Sequence, residues 1–389
     1  MDVFIEHIAI VKTEPRKSRQ LKFATLNKKM VMYEKFMIDR RYKKIILPHY
    51  MKWYSIVLIS VSALFAKELT WVSDKLLGEP FRMHEFEAES FHATLVDYPF
   101  DLAKDSVSLR VPKATVLYIH GFNDYFFQKE LAQKVDSAGY SFYAIDLHKY
   151  GRSLREGEAI GELRDISEYY AEIDSAIAKI RGLEGDSVLF VLMGHSTGGL
   201  IACLYASDRN NGAGIAAVVL NSPFLEMNYV WPMRRIIAPM LSALGGVFPN
   251  VGIPRSENLN YDKSLHKSEG GEWDYDHSLK LPGSLPIDLG WLHAIHQGHI
   301  RVQQGLHLAP PVLVMHSGCS FRDDDWSEEY TYCDGVLNVE HIREYGANLG
   351  PSVQLEEIEG GLHDLILSHK PARDNAYQKM FDFLSDKVK

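Results

Sequence analysis

Short apolar runs alternate with amphipathic stretches along most of this chain. Residues 187–193, Ser-Val-Leu-Phe-Val-Leu-Met, lie between Gly185-Asp186 and a glycine-rich turn, which predicts a buried strand. The Leu/Ala-rich stretch 200–206 predicts a helix directly after that turn. Similar apolar runs at 114–120, 141–146, 215–220 and 311–316 predict further strands, with another at 352–358. Residues 82–98, alternating most clearly over 91–98, predict an antiparallel hairpin that opens the sheet. Helices are expected at 125–137, 339–349 and 373–384, and at 162–181, where Ile166, Tyr169, Ile173, Ile177 and Ile180 recur at helical spacing. Strands alternating with helices imply an α/β class fold, a mostly parallel sheet covered by helices on both faces.

The alternation breaks after Asn221. Residues 226–309 hold no clean strand, only apolar helical stretches at 229–244 and 287–306 joined by a polar Gly/Asp/His-rich segment. An insertion at that point would lie over the C-terminal ends of the strands, where a substrate must enter. The expected organisation is therefore a core of 73–225 and 310–389, a helical cap of 226–309, and a basic N-terminal extension of 1–72.

Charge and cysteines narrow the possibilities. Residues 1–50 carry twelve Lys/Arg against five Asp/Glu, an excess of seven that leaves −16 on the remainder of a chain whose net charge is −9. So acidic a body repels phosphates, which excludes nucleic acid as a partner. Cys203, Cys319 and Cys333 are too few for a disulfide framework and form no metal-binding pattern. Cys203 is expected to be buried; Cys319 and Cys333 bracket a polar loop and are expected to be free thiols, pairing only if the protein is exported. The uncharged segment 53–66 has the length of a signal-peptide core but follows fifty residues. It is read either as a signal segment whose true start is Met51, with an upstream extension before it, or as a buried or membrane-associated helix of a cytoplasmic protein, leaving localisation open between cytoplasmic and exported or membrane-associated.

The chemistry converges on the turn after 187–193. Gly194-His195-Ser196-Thr197-Gly198-Gly199 has a serine between glycines at a strand-to-helix junction, which exposes the hydroxyl beside a helix N-terminus. A serine needs a base to take its proton, and the base needs a third group to orient it. His363, after the last strand and Gly360-Gly361, is the candidate base. For the acid, Asp323, Asp324 and Asp325 lie in an acidic run that reads as solvated; Asp334, in Cys-Asp-Gly-Val-Leu-Asn just before a helix, is preferred. A tetrahedral oxyanion needs two donors, assigned to the amides of Thr197 and of Phe122 in His120-Gly121-Phe122.

With these residues assembled, the chain from about residue 77 onward resembles the α/β-hydrolase family, within it the monoacylglycerol lipase, lysophospholipase and serine aminopeptidase group. The matching motifs are His120-Gly-Phe-Asn-Asp124, Asp146-Leu-His-Lys-Tyr-Gly-Arg-Ser153, Gly194-His-Ser-Thr-Gly-Gly199, Asp334-Gly-Val and Gly361-Leu-His363. Two features depart from the usual pattern: Lys149 stands where the group carries a glycine, and some seventeen residues separate the 311–316 strand from Asp334. The resemblance implies a serine hydrolase that uses no metal or cofactor.

Three functions compete. The first is hydrolysis of a lipid-like carboxylic ester of monoacylglycerol or lysophospholipid type, in which the apolar stretch 229–244 either lines an acyl-chain tunnel or packs within the cap. The second is an aminopeptidase or amidase with the same catalytic groups, its substrate amine held by Glu269, Glu272, Asp274 or Asp276. The third is a non-catalytic binding protein on the same fold, which the intact nucleophile, base and oxyanion positions argue against.

Overall fold

Strands buried on both faces need apolar side chains at every position, and the central strands here have them. In the computed structural model, which describes residues 69–100, 111–209, 214–254 and 258–388, those strands form a nine-stranded sheet. The expected apolar segment 53–66 and most of the basic extension lie outside the described residues. β1 (Val72–Ser73), β2 (Arg82–Ala88) and β3 (Phe91–Tyr98) pair antiparallel at one edge. β4 (Thr115–Ile119), β5 (Ser141–Asp146), β6 (Phe190–His195), β7 (Ile215–Asn221), β10 (Val312–Ser317) and β11 (Val353–Ile358) run parallel to one another. The spatial order is β1-β2-β3-β5-β4-β6-β7-β10-β11, so all six parallel strands point their C-terminal ends at the same edge.

Alternate residues of each central strand enter separate cores. Leu117, Ile119, Leu192, Val218 and Val314 join a core with helices α2 (Tyr170–Glu184) and α3 (Thr197–Asp208). Val116, Tyr118, Met193, Val219 and Met315 join the opposite core with α1 (Lys129–Ser137) and α8 (Lys370–Lys387). This period of two is why the strands read as unbroken apolar runs, and each fully buried Leu or Ile contributes about 1.5–3 kcal/mol. The expected α/β class and parallel sheet are therefore present.

Several local expectations are corrected. The helix expected from 125 begins at Lys129, because the Phe126 amide donates to Asp146 Oδ1 and the Phe127 amide to the Gln128 side chain. Between β7 and β10 the chain leaves the sheet as expected, but it includes a small antiparallel pair, β8 (Gly252–Ile253) with β9 (Ile287–Asp288), too short to carry an apolar pattern. The stretch 229–244 is not one regular helix: a π-helical turn, Met233–Ile237, leads into α4 (Ala238–Gly245). The excursion also contains α5 (Asn260–Leu265) and α6 (Leu289–Gln303), and α7 (Val339–Gly346) lies between β10 and β11. Among the described residues no helix is long and apolar enough to cross a membrane.

Cys319 and Cys333, expected as free thiols, form a disulfide. The loop they bracket turns back on itself: the Asp334 amide donates to Cys319 O at 2.9 Å and the Phe321 amide to Asp334 O at 3.0 Å, bringing the two Cα atoms to 4.9 Å. Composition could not reveal this return. Cys203 is free and fully buried in α3, and burial pushes its thiol pKa up, as suits an inert core residue.

Candidate active site

The elbow at the end of β6 is shaped by close approach. A Cβ on Gly194 would lie 2.3 Å from Gly198 O, and one on Gly198 would lie 2.3 Å from Ile119 O of the neighbouring strand. Glycine is the residue that fits there. Ser196 between them has φ +52°, a backbone that L-residues rarely adopt. Its amide is held by Asn221 O at 3.0 Å, and its own carbonyl accepts the amides of Gly199, Leu200 and Phe224. These bonds on both sides hold the strained conformation and set the hydroxyl at the N-terminus of α3.

The imidazole of His363 reaches that hydroxyl. Ser196 Oγ donates to His363 Nε2 at 3.0 Å, and His363 Nδ1 donates to Asp334 Oδ2 at 2.9 Å. Asp334 is 1% exposed, and its other oxygen accepts the amides of Val336 at 2.8 Å and Leu337 at 2.7 Å. Those two bonds satisfy the buried carboxylate and fix its rotamer. Residues 322–326, with Asp323, Asp324 and Asp325, are exposed. The structure thus brings together Ser196, His363 and Asp334 from three loops and leaves the other acid candidates in solvent.

The turn after β4 lies against Ser196. A Cβ on Gly121 would come 3.2 Å from Ser196 Cβ. The Leu147 amide donates to His120 Nε2 at 3.1 Å, so the ring proton is on Nδ1, which donates to Gly121 O at 2.7 Å. With that carbonyl turned to the ring, the Phe122 N–H on the same planar peptide faces the opposite way. Among the described residues, no hydrogen bond engages the Phe122 or the Thr197 amide. Two unengaged donors beside a serine hydroxyl are able to receive an oxyanion.

Four residues that sequence reasoning missed tie the loops together. Asn221 accepts Ser196 N through its carbonyl; its side chain donates to Asp364 Oδ1 at 2.6 Å and accepts the Leu365 amide at 3.1 Å, linking the loops of Ser196 and His363. His195, whose ring centroid is 4.8 Å from that of His363, has its pKa lowered chiefly by burial. It therefore stays neutral and does not oppose a charge on its neighbour. Asn123, at φ +54°, donates to Leu281 O at 2.7 Å and Gly283 O at 2.9 Å and accepts the Leu281 amide at 2.9 Å. Lys280 adds an ion pair to Asp124 at 3.1 Å. A polar residue closing an apolar strand, as Asn221 does, was the available signal; the Asn123 and Lys280 contacts join positions far apart in sequence and had none.

Lys149 resolves the departure in the 146–153 motif. It takes φ +62°, the backbone a glycine would supply freely, and its ammonium is held by Glu162 at 2.9 Å. The loop is otherwise pinned by buried Asp146, whose carboxylate accepts the amides of Phe126 and Arg152 and pairs with the Arg152 guanidinium.

Among the described residues, Asp124, His195 and Asp364 are the group whose ligand atoms could hold a cation, all within 4.8 Å. Protein partners already satisfy both carboxylates, through Lys280 on Asp124 and through Asn221 and Gln128 on Asp364. The four carboxylates considered for binding an amine are exposed: Glu272 pairs with His369 and Arg373, Asp274 with Lys267, and Asp276 accepts the Ser278 amide.

The excursion 226–309 contacts this edge directly. Tyr261 accepts the Asp364 amide at 3.1 Å and stands edge-on to His363, and Trp291 packs on Phe122 with centroids 4.7 Å apart. α4 packs on α6 through small residues, Ala238, Ser242 and Gly245, where a Cβ on Gly245 would meet Leu289 O at 2.0 Å. Leu241 is half-buried against the core, and the remaining large apolar side chains of 229–244 are exposed.

Comparison with known proteins agrees with this architecture. Among solved structures, the chain is similar to a soluble variant of monoglyceride lipase from Saccharomyces cerevisiae in complex with a substrate analogue, at 15% identity and TM-score 0.59, covering 84% of this chain and 99% of that one. It is also similar to a monoacylglycerol lipase from Paleococcus ferrophilus, at 19% identity and TM-score 0.53 over 71% of this chain and 96% of that one. A thermostable carboxyl esterase from Bacillus coagulans in complex with glycerol matches at 15% identity and TM-score 0.55 over 79% and 99%. Identities this low show the shared fold. No curated protein matches the chain. The family model described as serine aminopeptidase, S33, matches residues 110–368, about two thirds of the sequence and every loop of the site. The chain therefore belongs to the serine aminopeptidase S33 family and is a serine hydrolase of the α/β-hydrolase fold.

Proposed function

We propose that this protein hydrolyses a lipid-like carboxylic ester through an acyl-enzyme on Ser196. The observation that carries the reading is the continuous relay from Ser196 Oγ to His363 Nε2 at 3.0 Å and from His363 Nδ1 to Asp334 at 2.9 Å. His363 takes the hydroxyl proton as Oγ attacks the ester carbonyl, while Asp334 holds the ring and balances the imidazolium. The carbonyl oxygen, now an oxyanion, accepts from the amides of Phe122 and Thr197. His363 then protonates the leaving alkoxide, and the alcohol departs. A water, deprotonated by the same imidazole, attacks the acyl-enzyme and releases the acid and the free serine. The test is a pair of measurements on one preparation, covalent labelling by a fluorophosphonate and turnover of p-nitrophenyl esters of increasing chain length. Labelling without turnover of any ester counts against the reading.

The excursion 226–309 acts as a cap and supports the lipid-like part of the proposal. Val230, Trp231, Met240, Val247 and Phe248 are each more than half exposed, and residues 229–254 carry Arg234 and Arg235 but no acidic residue. A patch of this kind on a protein of net charge −9 suits an aggregated amphiphile better than a small soluble ester. Replacing Trp231 and Met240 together with serine is expected to lower activity on a micellar long-chain monoester about tenfold, given roughly 25 cal/mol lost per Å² of apolar contact, and to leave a soluble short-chain ester unaffected. Equal losses on both substrates would count against a role for this face in the lipid-like reading.

The cap also holds the Phe122 donor in place. Asn123, next in sequence, is locked to residues 281 and 283 by three hydrogen bonds. For Asn123→Ala, kcat is expected to fall about ten- to a hundredfold with KM little changed, since misplacing a donor weakens binding of the transition state alone. Steady-state kinetics on a soluble ester checks the split; a rise in KM at constant kcat would assign Asn123 to substrate binding.

A further inference from the structure

The segment between β10 and Asp334 is long, yet the acid stands immediately beside the strand end. Fifteen positions of excursion, 319–333, leave the sheet edge and return to it, and the return point is closed by the Cys319–Cys333 disulfide. Asp334 follows the second cysteine directly. An isolated bridge pairs Ser320 with Asp334, through the Asp334 amide on Cys319 O and the Phe321 amide on Asp334 O. The neck therefore restores to Asp334 the position that a loop of a few residues would have given it.

We infer that the Cys319–Cys333 disulfide is a positioning element for Asp334, fixing the carboxylate against His363. The inference rests on the reading of Asp334 as the group that orients the base. The neighbouring contacts show why a covalent tie matters. The outer part of the excursion is held separately, by Tyr330, whose hydroxyl bonds both the amide and the carbonyl of Asp323, and by Asn258 and Asn260 on the same stretch. The neck itself has one bridge outside any sheet, beside half-buried Cys319 and exposed Ser320, where water competes for two backbone hydrogen bonds. On the far side, Asp334 Oδ1 is anchored by the Val336 and Leu337 amides, and Val339 N donates to Ser320 Oγ. Opening the neck frees the upstream anchor while the downstream one persists, so Asp334 shifts relative to His363 without the fold being lost. A displacement of about 1 Å in such a group costs on the order of a hundredfold in rate.

The test compares oxidised and reduced full-length enzyme on a soluble p-nitrophenyl ester. Dithiothreitol transfers two electrons and two protons to the pair, leaving two thiols and cyclic oxidised dithiothreitol. The intact mass of the isolated protein is expected to report the pair as oxidised. Reduction is expected to lower kcat about ten- to a hundredfold with KM unchanged, and excess oxidised glutathione to restore it. The decisive comparison repeats the titration in Asp334→Asn, where reduction should have no further effect because the group it displaces is already lost. Cys333→Ala provides the same comparison without reductant. Full kcat in the reduced enzyme or in Cys333→Ala overturns the inference. So does an equal loss in the Asp334→Asn background, or a loss that tracks unfolding by circular dichroism. An oxidised wild type that turns over no ester defeats the functional reading itself, a result distinguishable from these.

Discussion

Ser196→Ala is expected to lose fluorophosphonate labelling completely and ester turnover by about six orders of magnitude, leaving the slow catalysis that oxyanion donors and binding alone provide. The size follows from the absence of a substitute. The hydroxyl donates to His363 Nε2 at 3.0 Å and sits where the amides of Thr197 and Phe122 flank it; a methyl group can form no acyl-enzyme. Folding should survive, since alanine inherits the same φ of +52° and the backbone bonds that hold it. Residual turnover near the wild-type rate, with unchanged thermal unfolding, would move the nucleophile elsewhere.

Asp334→Asn is expected to lower kcat by about four orders of magnitude, whereas Asp324→Asn should stay within roughly twofold of wild type. The contrast is geometric. Asp334 is buried and accepts from His363 Nδ1 at 2.9 Å while its second oxygen is held by two backbone amides. Asp324 is exposed in a loop. An asparagine amide can turn its NH₂ toward Nδ1, favouring the tautomer in which Nε2 carries the proton and cannot accept one from serine. Parallel kcat measurements on the two variants decide between them, and a larger loss at Asp324 would reverse the assignment.

The ease with which this fold reads from sequence has a particular source. The central strands are buried on both faces, so each appears as an unbroken apolar run, and 114–120, 141–146, 215–220 and 311–316 fall within a residue or two of the observed strands. Helix starts were less legible. At 125–128 the backbone donors are taken by the side chains of Asp146 and Gln128, and no local pattern announces that competition. The segment 229–244 shows the same limit on a larger scale. Its apolar content suggested an interior, but α4 fully buries Ala238, Ser242 and Gly245 and half-buries Leu241, while Met240 and Leu244 are exposed; the direction of a helix face is set by what packs beside it.

Sequence alone determined the elements of the sheet, the strand-to-helix junction carrying Ser196, and a short set of residue types able to do acyl chemistry, because these depend on local periodicity and on steric demands within a few residues. Tertiary structure decided which members of that set meet. It chose Asp334 over the acidic run at 323–325, joined Cys319 to Cys333, made Asn221 the link between the Ser196 and His363 loops, and tied Asn123 to the cap. Each of these is a contact between positions separated by anything from 14 to 160 residues, fixed by how the loops return to one edge of the sheet, and chain periodicity carries no record of that return.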